Sequence, residues 1–390
     1  MIWLFLMACS GSGGQDDTEG LAPVGLRFEE LAVQGNLDSA TDMVMLGNDE
    51  LFIASKSGEV GHYQITDDRV EELGRFTIPG VLDDLDCGLI SLAIAPDFAD
   101  SGQLYAGLCT SMTESGVVRV TVTSDYNAIA STSEPVYFLN EPEAANPWHN
   151  IGTLNFDDEG YLWLPFGDKT VRANGQLLSN ALGSIVRIRP TESGYETHPD
   201  APDPDLPEVW ATGVRSPWRA TFDANGNYWF GDVGAADFEE INVVTQAGDN
   251  FGWATHEGPC TTECDRFIDP VTQWTHDGVD QYSLDDPDVI PTPARVASVG
   301  VAYDNTDDRY EGLLDDTLLF NDFCQGFVRG MTVADDGSTS DDRHLGHLDN
   351  AVGWAQADDG FIYATTFGAC ESADGGRGQA RLYRARLRFE

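Results

Sequence analysis

The chain has little positive charge. Of its 390 residues, 21 are lysine or arginine and 66 are aspartate or glutamate, which gives a formal net charge of −45 at pH 7. Only two of the cations are lysines, Lys56 and Lys169. Binding to nucleic acid requires clustered cations that displace the counterions of the phosphates. The composition therefore argues against a nucleic-acid partner.

Long apolar runs and helical periodicity are also missing. Beyond the first residues, no run approaches the roughly 20 apolar residues that cross a bilayer as a helix. No stretch repeats apolar residues at the 3.6-residue period of an amphipathic helix. Glycine is abundant instead, with 41 residues, and turn signals are frequent. These features predict an all-β protein.

A turn followed by a short aromatic strand occurs six times along the chain. The intervals between the central aromatic residues are 53, 58, 66, 91 and 43 residues, and these residues are Phe52, Tyr105, Trp163, Trp229, Phe320 and Tyr363. Short strands repeated at such periods are typical of propeller blades. The pattern predicts a six-bladed β-propeller of four-stranded antiparallel blades, with a long loop insertion at about residues 257–293. A β-sandwich or a pair of β-domains is the alternative.

The N-terminus resembles an export signal. Residues 1–7 are apolar, and Ala8 precedes Cys9 as in bacterial lipoproteins, in which the cysteine is lipidated. Secretory signals usually begin with a basic residue, which is missing here, so an ordinary apolar N-terminus is the alternative. We expect residues 1–24 to be a lipoprotein-type signal and tether, and residues 25–390 to be the propeller. The protein is then an exported cell-envelope lipoprotein whose only membrane contact is the lipid on Cys9.

Six cysteines remain after Cys9, and an even number in an exported protein indicates disulfide bonds. Cys87 and Cys109 lie at similar distances on either side of a turn at residues 100–102, so a hairpin would bring them opposite each other. Cys260 and Cys264 would close a short loop within the insertion. The remaining two cysteines each follow a blade strand in the last two repeats. The predicted pairs are Cys87–Cys109, Cys260–Cys264 and Cys324–Cys370.

Six segments of the chain occur in an order shared with one known family. They are residues 51–60 (LFIASKSGEV), 88–98 (GLISLAIAPDF), 149–154 (HNIGTL), 182–188 (LGSIVRI), 213–253 (containing GVRSPWR, GDVG, EEIN and GDNFGW) and 319–326 (LFNDFCQG). Together they resemble the glucose/sorbosone dehydrogenase family, which includes the soluble sugar dehydrogenases that depend on pyrroloquinoline quinone (PQQ). The resemblance covers about residues 40–390. It implies a six-bladed propeller with PQQ and substrate at one mouth of the central channel.

The resemblance also implies roles for individual residues. His149 stands at the position of the family's general base, which removes the hydroxyl proton of the sugar while hydride passes to the quinone. Arg215 stands where the family has an arginine that holds the anionic cofactor. Ser216 replaces the asparagine that follows that arginine, and Thr153 replaces a second arginine of the cofactor site. Arg329 lies two residues beyond a third lost arginine and could substitute for it.

Calcium is the second cofactor that the resemblance implies. In the family it bridges PQQ and polarises its quinone as a Lewis acid. Backbone oxygens in the segment Asp232, Val233 and Gly234 match its ligands, and a second calcium would match Glu240, near Phe251. Hard oxygen ligands of this kind suit Ca²⁺.

Replacements at family positions leave more than one function open. The arginine of the HxGGRL motif is Thr153, its first glycine is Ile151, and the arginine of LFGDFCSGR is Phe327. The first hypothesis is a PQQ- and Ca²⁺-dependent dehydrogenase that oxidises a small-molecule sugar and passes electrons to an external acceptor. The second is a non-catalytic cell-surface propeller that binds a glycan or a protein. A calcium-dependent lactonase-type hydrolase on the same fold is the third.

Overall fold

The structure is a computed structural model that describes residues 21–67, 69–123, 133–276, 282, 285–289, 295–368, 370 and 380–389. The predicted signal and its Cys9 lie outside these residues and stay predictions. Within the described ranges, no helix combines the length and apolar character needed to cross a bilayer.

Six sheets follow one another along the chain, each with the four antiparallel strands of a propeller blade. Two strands, β1 (Pro23–Glu30) and β2 (Ala32–Gln34), precede the first blade. Blade one is β3 (Ala40–Gly47), β4 (Glu50–Ser55), β5 (Glu59–Ile65) and β6 (Arg69–Thr77), with β2 parallel to β6. Blade two is β7 (Leu89–Ile94), β8 (Gln103–Cys109), β9 (Glu114–Thr121) and β10 (Glu134–Asn140). Blade three is β11 (Asn155–Phe156), β12 (Leu162–Phe166), β13 (Ser184–Thr191) and β14 (Gly194–Thr197), with β15 (Val209–Thr212) also paired to β13.

The second half of the chain continues the same arrangement. Blade four is β16 (Pro217–Phe222), β17 (Tyr228–Asp232), β18 (Phe238–Val244) and β19 (Thr272–Thr275). Blade five is β20 (Ala297–Ala302), β21 (Thr317–Asp322), β22 (Phe327–Val333) and β23 (Thr339–His347). Blade six is β24 (Ala351–Gln356), β25 (Ile362–Thr366), β26 (Leu382–Phe389) and the N-terminal strand β1. Among the elements that the described residues contain, a short α-helix, α1 (Phe98–Ser101), and 3₁₀ turns at Arg172–Gln176 and Asn305–Asp307 lie in the connections.

The N-terminal strand closes the ring. β1 runs antiparallel to β26, with Leu26 opposite Leu387 and Phe28 opposite Ala385. Blade six is therefore built from both ends of the chain. First strands of neighbouring blades contact one another, for example β3 with β7 and with β24. This places them around the axis of the propeller.

The six repeated aromatic strands are all the second strands of their blades, which confirms the predicted architecture. Their central aromatic residues are all buried. In blade three, Asp157 accepts backbone N–H groups of its own turn with one carboxylate oxygen and the indole N–H of Trp163, at 2.8 Å, with the other. Asp223 and Trp229 repeat this arrangement in blade four, at 2.9 Å. In blades three and four the turn-then-aromatic pattern is thus one hydrogen-bonded unit that fixes the turn to its strand.

Two predictions need correction. The segment predicted as a loop at residues 257–293 contains β19, the fourth strand of blade four, while residues 277–281, 283, 284 and 290–293 lie outside the described part.

The disulfides Cys260–Cys264 and Cys324–Cys370 are present as predicted. The N–H of Cys109 donates to the carbonyl of Gly88, the neighbour of Cys87, but Cys87 and Cys109 are both buried free cysteines, so the third predicted disulfide is absent.

Candidate active site

A cavity of about 480 Å³ opens on the axis of the propeller. Every blade or the connection leading to it contributes lining residues, including Thr41, Ile90, His149, Arg215, Phe323 and Val352. One wall is apolar and consists of Trp218, Val296, Phe323, Val352, Phe367 and the Cys324–Cys370 disulfide, and Ile151 also lines the cavity. Trp148, which is 40% exposed, also lines the cavity. Enclosed apolar cavities with a few convergent polar groups are typical ligand sites.

His149 lies on the cavity and is held by a buried carboxylate. Its Nδ1 is 2.6 Å from Oδ1 of Asp168, whose side chain is 1% exposed. The other oxygen of Asp168 accepts the indole N–H of Trp253 at 2.8 Å, and the backbone N–H of Thr170 donates to Oδ1. Because Nδ1 is engaged by the carboxylate, Nε2 is the ring nitrogen that remains to accept a proton.

Local backbone geometry brings this histidine to its carboxylate. His149 has a φ of 52°, in the left-handed region. Gly167, at the end of β12, makes the close approach of this loop feasible, because a Cβ there would lie 2.5 Å from the carbonyl oxygen of His149. Asp168 follows Gly167 directly, so the strand end places the carboxylate beside the imidazole. The pair is a histidine–carboxylate dyad suited to general-base chemistry.

Positive charge converges on the cavity of this acidic protein. Lys56, Arg215 and Arg219 line it, and Lys169 lies behind it, donating to Oδ1 of the cavity-lining Asn150 at 2.8 Å. Both lysines of the chain are therefore at this one site. Burial lowers the pKa of Lys169. With a net charge of −45 over the whole chain, such a concentration of cations points to a ligand that carries negative charge.

Asp86 is a carboxyl group that faces the same cavity. The exposed surface of Asp86 faces the cavity, and the protein packed around the rest of the residue removes water from the carboxyl group. This desolvation raises the pKa of Asp86 to about 6. Lys56, Arg215 and Lys169 act in the opposite direction because their charges favour the carboxylate. The cavity thus contains, beside the dyad, a carboxyl group whose pKa lies above the usual range of an aspartate.

A second, small cavity adjoins the first. It is lined by all five residues that the sequence predicts around calcium, namely Asp232, Val233, Gly234, Glu240 and Phe251. Burial and the charge of Glu240 raise the pKa of Asp232 well above its usual range. Burial also raises the pKa of Glu240 to about 7. Two buried carboxyl groups whose charged forms are destabilised, chiefly by burial, are an environment that a divalent cation would relieve.

The carboxylates of this small cavity also shape the main site. Asp232 accepts the backbone N–H groups of Arg215 and Ser216 at 2.9 and 2.6 Å, which fixes the turn that carries the arginine. Arg215 in turn donates to the carbonyl oxygen of Val233 at 2.6 Å. Within the described residues, no cluster of three or more His, Cys, Asp or Glu side chains is arranged to hold a metal. Backbone oxygens would therefore have to complete a calcium site here.

Of the five residues predicted for catalysis or cofactor binding, three line the main cavity. His149, Arg215 and Ser216 line the main cavity. Thr153 is not among the lining residues; its hydroxyl accepts Nη1 of Arg219 at 3.1 Å and donates to the carbonyl of Trp218.

Arg329 does not reach the cavity, which corrects its predicted role. It lies in β22 with 3% exposure, and its Nε donates to Asp342 at 2.7 Å. Its Nη1 lies 3.1 Å from Asp285. The guanidinium is neutralised within blade five and has no path to a ligand on the axis.

The sequence interpretation missed Lys56, Asp86, Asp168 and Arg219. Lys56 had a usable signal, because it is one of only two lysines and lies in the first family segment. Asp168 follows the predicted blade strand that contains Trp163, in the sequence FGD. Arg219 is the last residue of GVRSPWR and is buried, with Nη2 donating to the carbonyl of Thr41 at 2.6 Å.

Comparisons with solved structures agree with this architecture. The PQQ-bound aldose sugar dehydrogenase of Streptomyces coelicolor superimposes with a TM-score of 0.72 at 20% identity, covering 94% of this chain and 100% of that one. The soluble aldose sugar dehydrogenase of Escherichia coli, in its apo form, gives a TM-score of 0.70 at 21% identity, covering 93% and 100%. At these identities the likeness establishes the fold.

Sequence comparisons identify relatives and the family. The HIPL1 protein of Arabidopsis thaliana is 26% identical over 239 residues, which cover 45% of this chain and 34% of HIPL1. Aldose sugar dehydrogenase YliI of Escherichia coli is 27% identical over 248 residues, which cover 60% of this chain and 62% of YliI. The match thus spans about a third of one relative's length and under two thirds of the other's. Residues 37–375 match the family described as Glucose / Sorbosone dehydrogenase, and the chain therefore belongs to that family.

Proposed function

We propose that this protein is a PQQ-dependent dehydrogenase. It oxidises a CH–OH group of an aldose, or of a related sugar or alcohol, in the axial cavity and passes the electrons to an external acceptor. The observation that carries the proposal is the meeting of a histidine–carboxylate dyad with a cluster of cations in a cavity of about 480 Å³. The family membership and the names of the structural neighbours support the same chemistry. The protein is further proposed to be exported and to be held at the cell envelope by the lipid on Cys9.

The residues of the cavity fit PQQ. This cofactor is a flat aromatic ortho-quinone with carboxylate groups, so it needs cations at its edge and apolar walls on its faces. Lys56, Arg215 and Arg219 supply the cations, and the wall that contains Trp218 and Phe323 supplies the apolar surface. When bound, PQQ supplies the quinone that accepts hydride from the sugar carbon.

The role of the protein's own groups follows from the dyad. Oxidation of a CH–OH group to a carbonyl releases a hydride from carbon and a proton from oxygen. His149 takes the proton at Nε2, while Asp168 holds the ring by Nδ1 and stabilises the imidazolium that forms. Trp253 keeps the carboxylate in place through its indole N–H. Walls made by all six blades limit the access of water to this site.

PQQ is expected to bind the full chain saturably, and Arg215→Ala is expected to weaken binding about tenfold or more. The reason is the loss of charge-assisted contacts, which are about twice as strong as neutral ones. Titration of PQQ absorbance and of the melting temperature measures both effects. The matched control is Arg75→Ala, which removes a guanidinium from the outer strand of blade one, where it bonds Glu72. Wild-type protein that binds no PQQ would refute the dehydrogenase and favour the non-catalytic binding propeller.

Calcium is proposed to occupy the small cavity, held by Glu240 and Asp232 together with backbone oxygens of residues 233 and 234. Ca²⁺ at 100 times its dissociation constant is expected to stabilise the wild-type fold by about 2.7 kcal/mol. Glu240→Gln is expected to lose most of this gain, because the substitution removes one negative charge from a buried site. Melting in EGTA and in CaCl₂ measures it, with the exposed Glu196→Gln as control. Equal stabilisation of Glu240→Gln and wild type by Ca²⁺ would place the metal elsewhere.

A further inference from the structure

Lys56 is fixed at the junction of blades one and two. It lies in the turn between β4 and β5, where its backbone N–H donates to Ser39 at 2.9 Å and its carbonyl accepts the N–H of Leu89 of blade two, also at 2.9 Å. The stem of the side chain packs on Gly88, where an added Cβ would lie 2.5 Å from Cγ of Lys56. The residue is 3% exposed and lines the axial cavity. Its ammonium group therefore occupies a defined position.

The hydrogen-bonding capacity of this ammonium is unused. Nζ of Lys56 is 3.3 Å from Oδ1 of Asp83, but it has no hydrogen-bond partner among the described residues. An ammonium group has three donors, and a buried charge without hydrogen bonds is costly. Lys169 shows the contrast, because its Nζ donates to Met112, Asn146 and Asn150 at 2.8–2.9 Å. Lys169 is saturated by the protein, and Lys56 is not.

The surroundings of Lys56 indicate which ligand group would use these donors. Arg215 and Arg219 line the same cavity, and both already donate to backbone carbonyls of the protein. A ligand that reaches this region meets these three cations and one lining carboxyl group, that of Asp86. A carboxylate has the charge and the lone pairs to accept from an ammonium group.

We propose that Lys56 binds a carboxylate of the ligand in the axial cavity and supplies the cationic contact that the family places at the position of Thr153. The inference rests in part on the proposed function, because PQQ carries such carboxylates. A sugar acid with a carboxylate on its ring has the same group. Nothing in the resemblance or in the comparisons assigns a role to Lys56.

The test begins with PQQ binding by the full chain. Lys56→Met keeps the length of the stem and removes the charge, and we expect it to weaken PQQ binding by at least about tenfold. We expect Lys56→Arg to recover most of the affinity. Binding by the wild type should weaken with added salt more steeply than binding by Lys56→Met. Arg75→Met, a cation-to-methionine change in the same blade but outside the cavity, should bind PQQ as the wild type does.

Loss of folding is separated from loss of binding by a double variant. Lys56→Met alone leaves Asp83 without its ion pair, which destabilises the fold by itself. Lys56→Met with Asp83→Asn removes both charges, so its melting temperature should return toward the wild-type value while PQQ binding stays weak. Recovery of PQQ binding together with stability would show that Lys56 acts only as the partner of Asp83, and the inference would be wrong.

A second arm distinguishes the two sources of the carboxylate. The melting temperature is measured with D-glucuronate and with D-glucose, with and without PQQ. Glucuronate could stabilise the wild type more than glucose does, and this difference could be lost in Lys56→Met while PQQ binding changes less than tenfold. That result assigns the carboxylate to the substrate. If the wild type binds glucuronate through Lys56 but binds no PQQ, the dehydrogenase proposal fails and this inference stands. If neither PQQ nor glucuronate depends on Lys56, the inference is overturned.

Discussion

Replacing His149 by alanine is expected to lower the rate of sugar oxidation about a thousandfold while leaving PQQ binding unchanged. The imidazole is the only described side chain on the axial cavity that pairs a free ring nitrogen with a buried carboxylate, and general-base catalysis by such a group contributes roughly 10²–10⁴ in rate. The histidine is neither a cation at the edge of the cofactor nor part of the apolar wall. The measurement is dye reduction with a panel of aldoses, alongside PQQ titration of the same preparation.

Two further variants make this result specific. Asp168→Asn keeps the shape of the side chain that contacts His149 but places an amide against Nδ1 and against the indole of Trp253. We therefore expect kcat to fall nearly as far as in His149→Ala, with little change in KM. His62→Gln is the matched control, because His62 is a buried histidine paired with Glu50 in blade one, outside the cavity. A His149→Ala enzyme with more than a tenth of wild-type kcat would show that another group removes the proton.

Loss of the Cys324–Cys370 disulfide is expected to lower the free energy of unfolding by about 4 kcal/mol. The bond closes a loop with a sequence separation of 46 residues and joins the end of a strand in blade five to the end of a strand in blade six. In the chain-entropy description, the stabilisation by a cross-link grows with the length of the loop that it closes. The measurement is denaturant unfolding of the double variant Cys324→Ser with Cys370→Ser.

The second disulfide provides the control for this experiment. Cys260–Cys264 closes a loop with a separation of only 4 residues, and the same relation gives about 2 kcal/mol for it. Replacing this pair by serines should therefore cost about half as much. Equal losses for the two double variants would contradict the loop-length explanation and indicate that local packing, here against Phe323 and Val352 on the cavity wall, dominates the effect.

The fold could be predicted from the sequence because a turn followed by a short aromatic strand recurs in every blade, and in blades three and four local contacts fix this pattern. An aspartate in the turn binds its own backbone and the aromatic ring of the following strand, as Asp157 and Asp223 do with Trp163 and Trp229. Such contacts lie within about six residues and leave a readable pattern. The boundary of the insertion was harder to predict, because β19 is a four-residue strand that pairs with β18 across a connection of 27 residues. Its pairing is fixed by tertiary contacts and not by local turn chemistry.

The site was predicted only where its residues are contiguous with family motifs. His149 and Arg215 are in such motifs, and the five residues around the small cavity come from one stretch of chain. Lys56, Asp86 and Arg219 come together only when blades one, two and four surround the axis. Arg329 was chosen by its proximity to a lost arginine, yet its position on β22 directs it to Asp342 and Asp285. The direction in which the Arg329 side chain leaves the sheet determines its partners, and one sequence does not supply that direction.

The pairing of β1 with β26 determines when, during synthesis of the chain, the propeller ring can close. Residues of β1 are synthesised long before their partners, Leu382–Phe389. Until those partners arrive, β1 presents an unpaired edge with buried-type residues such as Leu26. We therefore expect the ring to close only after β26 is synthesised, and a chain truncated before β26 to persist as an open, aggregation-prone array of blades.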